Sequence, residues 1–308
     1  FISHIIPADP AAFAAGENAS AETVAAVRAK LGLDQPLHIQ FLRYIQSVAQ
    51  GDMGRSIYTG RPIADDLMSR LPATIELAIF AILVASIVGV PLGVISALYR
   101  NSWLDHVLRV VTIAGLAMAS FWVAIILQLT FSMRLGMTPL TGRVDGWGPE
   151  PITGFYTVDA LLMQDPEILV DALHHMILPV ITLALPATAT IVRFTRAGVL
   201  NALSSNYVLY ETAMGYPRRL IIWKYVLRNA LIGTVTQIGL IFGILLAGAV
   251  VVEAVFDWPG LGLFAVNSIL SSDYNAVMGF TLVAGTMFIV VNLVVDILQG
   301  MIDPRETR

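Results

Sequence analysis

The 308-residue sequence has no cysteine and only two lysines, Lys30 and Lys224. Without cysteine there is no disulfide framework, thiolate metal site or thiol nucleophile. The two lysines follow Ala29 and Trp223, so no Gly-Lys-Ser/Thr phosphate loop exists. The chain does not hydrolyse ATP by that route. Charged residues make up 13% of the chain, against about 25% in soluble domains. A net charge of -4 has the wrong sign for a nucleic-acid binder. None of the five histidines sits in His-Glu-x-x-His, which counts against an intramembrane zinc protease. No Gly-x-Ser-x-Gly elbow occurs. His174 and His175 are neighbours, about 100° apart on a helix, a poor geometry for sharing a metal. Interfacial hydrogen bonding is their expected role, and no metal site is expected.

What the chain has instead is apolar length. Hydrophobic residues make up 56% and the mean hydropathy is +0.75. Five runs lack Asp, Glu, Lys and Arg: Leu77–Tyr99, Val110–Met133, Met176–Val192, Asn229–Val252 and Tyr274–Val295. They hold 23, 24, 17, 24 and 22 residues. A helix crosses about 30 Å of hydrocarbon with roughly 20 apolar residues. The expected fold is therefore an all-α polytopic membrane helix bundle with five complete spans. Apolar Phe1–Ile6 reads as the outer end of a further N-terminal span.

Cations orient the spans. Between Arg196 and Arg228 stand five cations against one acid, Glu211. Between Arg134 and Asp171 stand two cations against six acids. The first loop is expected in the cytoplasm and the second outside. The expected organisation is residues 1–7 as the end of a first span and 8–72 as an external helical segment. Residues 73–300 form the transmembrane domain, with a cytoplasmic loop over 194–228, and 301–308 form a cytoplasmic tail.

The external segment carries helix signals. Ser20 is a cap for a helix over Ala21–Leu31, with Gly32 as its stop. Asp34 is a cap for a second helix with Pro36 in its first turn. In the cytoplasmic loop, Ser205 or Asn206 is a cap for a short helix over Tyr207–Met214. Gly215 ends it in a left-handed turn, and Pro217 opens the next helix. This helix is too short and polar to span, so it forms a knob at the membrane face.

Charge within the spans is scarce. Glu253, Asp273 and Asp296 stand at span boundaries, where solvated or hydrogen-bonded structural roles are expected. Gly89/Gly93 and Gly239/Gly243 have the GxxxG spacing of close helix contacts. Pro91, Pro179 and Pro186 are positioned to bend their helices. A multi-span chain with a knob, an external cap and no engine reads as a transporter subunit driven by another protein. An intramembrane enzyme would need a catalytic pair, and none is seen. Periodicity alone leaves a channel open.

Several motifs then carry a family resemblance. Gly32-Leu33-Asp34-Gln35-Pro36-Leu37, Gly51-Asp52-Met53-Gly54-Arg55-Ser56 and Arg70-Leu71-Pro72-Ala73-Thr74-Ile75-Glu76-Leu77 come first. Ile152-Thr153-Gly154-Phe155-Tyr156 and His175-Met176-Ile177-Leu178-Pro179 stand in the middle. Trp258-Pro259-Gly260-Leu261-Gly262, Asn292-Leu293-Val294-Val295-Asp296 and Asp303-Pro304-Arg305 close the order. Together these span nearly the whole chain. They resemble the B-type permease subunit of bacterial ABC importers for dipeptides and oligopeptides. The knob resembles that family's EAA-type loop through Tyr207-Val208, Glu211-Thr212-Ala213-Met214-Gly215 and Leu227-Arg228-Asn229-Ala230-Leu231. It departs where relatives carry a run like Arg-Thr-Ala-Arg-Ala-Lys before the glycine, and at Ile232-Gly233, where a proline is customary.

The resemblance implies a type I importer permease fold in the bacterial inner membrane, with six spans per subunit. The implied partners are a second permease subunit, two ABC ATPase subunits and an external substrate-binding protein. The chain is implied to be non-catalytic and to hold no cofactor, because ATP-Mg is bound by the ATPases. Coupling to the ATPase is implied for Tyr207, Val208, Glu211, Ala213, Gly215, Pro217 and Arg218. Asp52, Arg55, Trp258, Pro259 and Gly260 are the candidate binding-protein contacts. The implied substrate is a peptide; near relatives carry nickel chelates, glutathione, opines or oligosaccharides.

Overall fold

The structure, a computed structural model, describes residues 20–30 and 34–302. The first-span remnant expected at residues 1–7, the Gly32 stop and the tail from residue 303 lie outside the described residues. Among those described, the chain is helical and has no strand; an isolated antiparallel bridge joins Arg55 and Pro62.

Helix α1 (Ala21–Lys30) starts at Ser20, whose hydroxyl accepts the Thr23 N–H at 3.2 Å, as its sequence predicts. Helix α2 (Leu37–Ala49) differs from expectation. Pro36 itself occupies the cap position in extended backbone, and no side chain caps the helix. Asp34 is two residues too early to serve.

Two long helices form the frame. Helix α3 (Ile63–Leu98) and helix α7 (Pro166–Leu203) run side by side in the same direction: Gly89 meets Ile191, and Gly93 meets Thr195. Pro91, Pro179 and Pro186 lie inside these helices, and none of them ends its helix. Helix α10 (Leu227–Gly248) returns antiparallel, and Gly198 of α7 lies against its Ala230. Helix α13 (Tyr274–Ile302) packs on α10, with Gly239 against Val295 and Gly243 against Phe288 and Val291. Both GxxxG pairs are thus contact points where absent side chains let backbones approach. Between them lies a core of small and branched residues, including Ala78, Ala81 and Ala85 of α3, Leu183, Ala187 and Ile191 of α7, and Ile241 and Leu245 of α10.

A Cβ on Gly93 would lie 2.6 Å from Thr195 Cβ and 2.8 Å from the Val192 carbonyl oxygen. Gly93→Leu is therefore expected to lower stability by about 1–3 kcal/mol through overpacking. Gly285, with nothing within 4 Å of such an atom, is the control. Equal thermal midpoints for Gly93→Leu and Gly285→Leu in detergent would refute the contact.

The second apolar run is not one straight span. Helix α4 (Trp103–Ala117) and helix α5 (Ser120–Leu127), extended by a π-helical turn at Gln128–Arg134, meet at 99°. Met118 and Ala119 are both extended. No proline marks the break. Within the run, the Gln128 amide donates to the Leu140 and Val255 carbonyls, tying the π-helical turn to a loop and to the end of a later helix. Among the described residues, four helices are long and apolar enough to cross a membrane, and the bent pair makes a fifth candidate.

The chain brings its connections to two opposite ends. Helix α6 (Tyr156–Leu162), helix α11 (Val250–Val255), helix α12 (Leu261–Leu270) and the 52–62 loop gather where α3 and α7 begin. This is the cap end. Helix α8 (Asn206–Ala213) and helix α9 (Arg218–Leu220) lie where α3 and α7 finish, at the knob end.

Candidate functional site

The knob is anchored on one side and bare on the other. Ser205 sits at the cap position of α8, but its hydroxyl donates to the Ala202 carbonyl and caps nothing. Val208 is half-buried against a cluster of Ala97 from α3, Val199 and Ala202 from α7, and Val226 and Leu227 leading into α10. At the end of α8, the N–H groups of Met214, Gly215 and Tyr216 donate to the carbonyls of Tyr210, Thr212 and Glu211. Gly215 adopts φ +79° there, the left-handed stop its sequence predicts. Pro217 holds the cap position of α9, one residue earlier than expected. A π-helical turn, Ile221–Val226, then leads into α10.

The expected coupling residues divide by exposure. Tyr207, Val208 and Glu211 are half-buried, whereas Ala213, Gly215, Pro217 and Arg218 are exposed. Tyr207 lines a cleft with Asn201, Asn229 and Gln299. Glu211 carries a carboxylate oxygen with no hydrogen-bond partner among the described residues. The bare face belongs to residues sequence matching passed over: Leu209 is 71% exposed, Tyr210 64% and Met214 62%. Together they form an exposed apolar patch on the knob. The signal lay in the departure from the family's usual basic run at Leu209–Met214.

Beside the knob, Asp105 joins three helices. Its carboxylate is fully buried and accepts from Arg196 Nε at 2.9 Å and Nη2 at 3.0 Å. Ser96 Oγ donates at 2.6 Å and the Asn101 N–H at 3.0 Å. Arg109 adds an ion pair at 3.3 Å. Sequence reading missed this cluster, since nothing local couples residue 105 to residue 196.

The cap end is a network of buried polar clamps. Glu253 is fully buried and accepts from Thr74 Oγ1 at 2.8 Å and from the N–H groups of Gly262 and Leu263. Asp273, also fully buried, accepts from Ser56 Oγ and from the Ile57, Tyr58 and Ala276 N–H groups. Both residues are hydrogen-bonded, as expected, but neither is solvated. Arg143 pairs with Glu76 and lies over the Tyr156 ring at 3.6 Å. Burial pushes the Asp159 carboxyl up, but donors from Thr153 and the Gly154 N–H outweigh it and hold the group below the usual range. Its stabilisation is present above about pH 4 and is lost as pH falls through the lowered value.

These clamps correct part of the expected partner surface. Trp258 is 1% exposed, with its indole N–H donating to the Ala73 carbonyl at 3.0 Å. Gly260 is buried where a Cβ would strike Glu253, and Pro259 is half-buried. Trp258 and Gly260 close the chain on itself and present nothing to a partner. Asp52 and Arg55 are exposed.

Comparison with known proteins agrees with this geometry. Residues 89–308 match the family described as binding-protein-dependent transport system inner membrane component. Residues 1–78 match its N-terminal companion. The chain is 46% identical over 309 residues to the Escherichia coli K12 protein named "Probable D,D-dipeptide transport system permease protein DdpB", covering 100% of this chain and 91% of that one. It is 39% identical over 307 residues to the dipeptide transport system permease protein DppB of the same organism, covering 98% and 91%. Among solved structures, a chain of the inward-facing MetNI methionine ABC transporter shares the fold. The TM-score is 0.59 at 14% identity, covering 77% of this chain and 96% of that one. The chain is therefore a multi-pass membrane protein that belongs to the family of binding-protein-dependent transport system inner membrane components.

Proposed function

We propose that this chain is one permease subunit of an ATP-driven importer that carries di- and oligopeptides across the bacterial inner membrane. Relatives named for dipeptide transport support the substrate class. The observation that carries the mechanism is the knob: an exposed apolar ridge on a helix whose Val208 packs on a cluster drawn from α3, α7 and the start of α10. Cations gather at the knob end, which assigns it to the cytoplasm. The partners there are two ATPase subunits, which bind ATP-Mg themselves. Closure of the ATPases pushes on Leu209, Tyr210 and Met214. Val208 passes that push to α3, α7 and α10. The spans, with those of a second permease subunit, shift between inward-facing and outward-facing packings. At the opposite end an external binding protein delivers the peptide, and Asp52 and Arg55 remain its candidate contacts.

Gly215→Val tests the linkage. No atom lies within 4 Å of the added Cβ, so the cost is the left-handed backbone itself. That is about 1–2 kcal/mol, which weakens coupling about tenfold. Peptide uptake is expected to fall accordingly, and Gly215→Asn is expected to retain it because asparagine tolerates this conformation. Unchanged uptake in the valine variant would remove the coupling role. The assembly itself is tested by tagging the chain and identifying what copurifies from solubilised native membranes. A second permease subunit, ATPase chains and a binding protein are expected. Recovery of the chain alone, under conditions that preserve other membrane complexes, would refute the importer reading.

A further inference from the structure

One polar cluster at the cap end takes part in neither the clamps nor the docking surface. His175 lies in α7 with its side chain 1% exposed. Its Nδ1 is 3.0 Å from the Asp171 carbonyl oxygen, one turn earlier. A carbonyl only accepts, so Nδ1 carries a proton, which leaves Nε2 as the ring nitrogen open to a cation. That buried Nε2 has no hydrogen-bond partner among the described residues. It faces Asp145 Oδ1 at 3.6 Å, while Asp171 Oδ1 stands 3.2 Å from Nδ1. The Asp145 N–H donates to Asp171 Oδ2 at 2.7 Å, which brings both carboxylates to the ring. One ligand atom from each of the three residues lies within 4.8 Å of the others. A cation standing between Nε2 and Asp145 Oδ1 would give that unpartnered buried nitrogen the contact it lacks.

We propose that Asp145, Asp171 and His175 bind one divalent transition-metal ion of the zinc class. The ring already has the posture of a metal ligand, with its second nitrogen donating to a backbone carbonyl. Ligand atoms about 2.1 Å from a tetrahedral ion stand about 3.4 Å apart, close to the 3.6 Å between Nε2 and Asp145 Oδ1. One imidazole and two carboxylates suit zinc or manganese; calcium prefers six to eight oxygens. Two carboxylates also balance a 2+ charge. A fourth position opens toward solvent beside Asp145, whose side chain is 88% exposed. The ion's effect is mechanical. It clasps the external loop to α7 two residues beyond Arg143, which pins the same loop to α3. Sequence alone does not bring residue 145 to a helix that starts at residue 166.

The test uses the full chain without a histidine tag, in its copurified complex, stripped with a chelator and dialysed against zinc chloride alone. Metal analysis is expected to find a single added zinc per permease chain. Asp145→Asn is expected to weaken binding by about tenfold or more, as is His175→Gln. Zinc is expected to raise the thermal midpoint of the wild type and not of Asp145→Asn. If the buried His175→Gln variant fails to fold, the exposed Asp145→Asn variant decides. Equal zinc content and equal thermal shifts in wild type and Asp145→Asn would overturn the site, as would a wild type that takes up no zinc. Neither result depends on peptide uptake, so the site stands or falls apart from the transport reading.

Discussion

Asp105→Ala is expected to destabilise the folded chain by about 3–5 kcal/mol, because removing one partner of a buried ion pair strands the other. Arg196 makes both hydrogen bonds of its planar fork to this carboxylate, and its side chain is only 21% exposed. Ser96 Oγ and the Asn101 N–H lose their acceptor in the same substitution. The loss falls where α3, α4 and α7 meet beside the knob, so unfolding is expected to start there. Thermal unfolding in detergent measures it. Adding Arg196→Met to Asp105→Ala is expected to restore part of the loss, since the unpaired guanidinium is then gone. A single variant with the wild-type midpoint would show that the pair contributes nothing.

Leu209→Asp is expected to weaken ATPase association about a hundredfold, or about 2.7 kcal/mol, without moving the thermal midpoint. Leu209 is 71% exposed, so the aspartate is solvated in the free chain and desolvated only in the docked one. Val208→Asp is the contrast. That side chain packs on the Ala97, Val199 and Val226 cluster, so a charge there is expected to destabilise the chain itself. The pair separates a docking face from an anchoring face one residue apart. Full recovery of ATPase with the Leu209→Asp variant would place the docking surface elsewhere.

Apolar runs marked where spans lie but not how long their helices are. Helix α3 begins at Ile63, well before the run that starts at Leu77. Asp66 and Glu76 precede the run yet stay helical and buried, because Thr59 from the loop just before the helix and Arg143 from a loop 67 residues along the chain bond to their carboxylates. The Val110–Met133 run read as a single span, yet it turns through 99° with no local breaker. The knob was legible almost to the residue, since a left-handed glycine and a proline act within one turn. Its two faces were not, because exposure depends on where α3, α7 and α10 run beside it.

The sequence by itself determined the membrane class, the small-residue contacts and the place of the knob. Each follows from local composition or from helical spacing, which a reader can count along the chain. Only the tertiary structure decided that Trp258 and Gly260 point inward, that Asp105 finds Arg196, and that Asp145 and Asp171 converge on His175. A buried charge is set by partners that bundle packing brings together from far along the chain, 91 residues for Asp105 with Arg196 and 179 for Glu253 with Thr74. No period or motif in the intervening sequence encodes those distances.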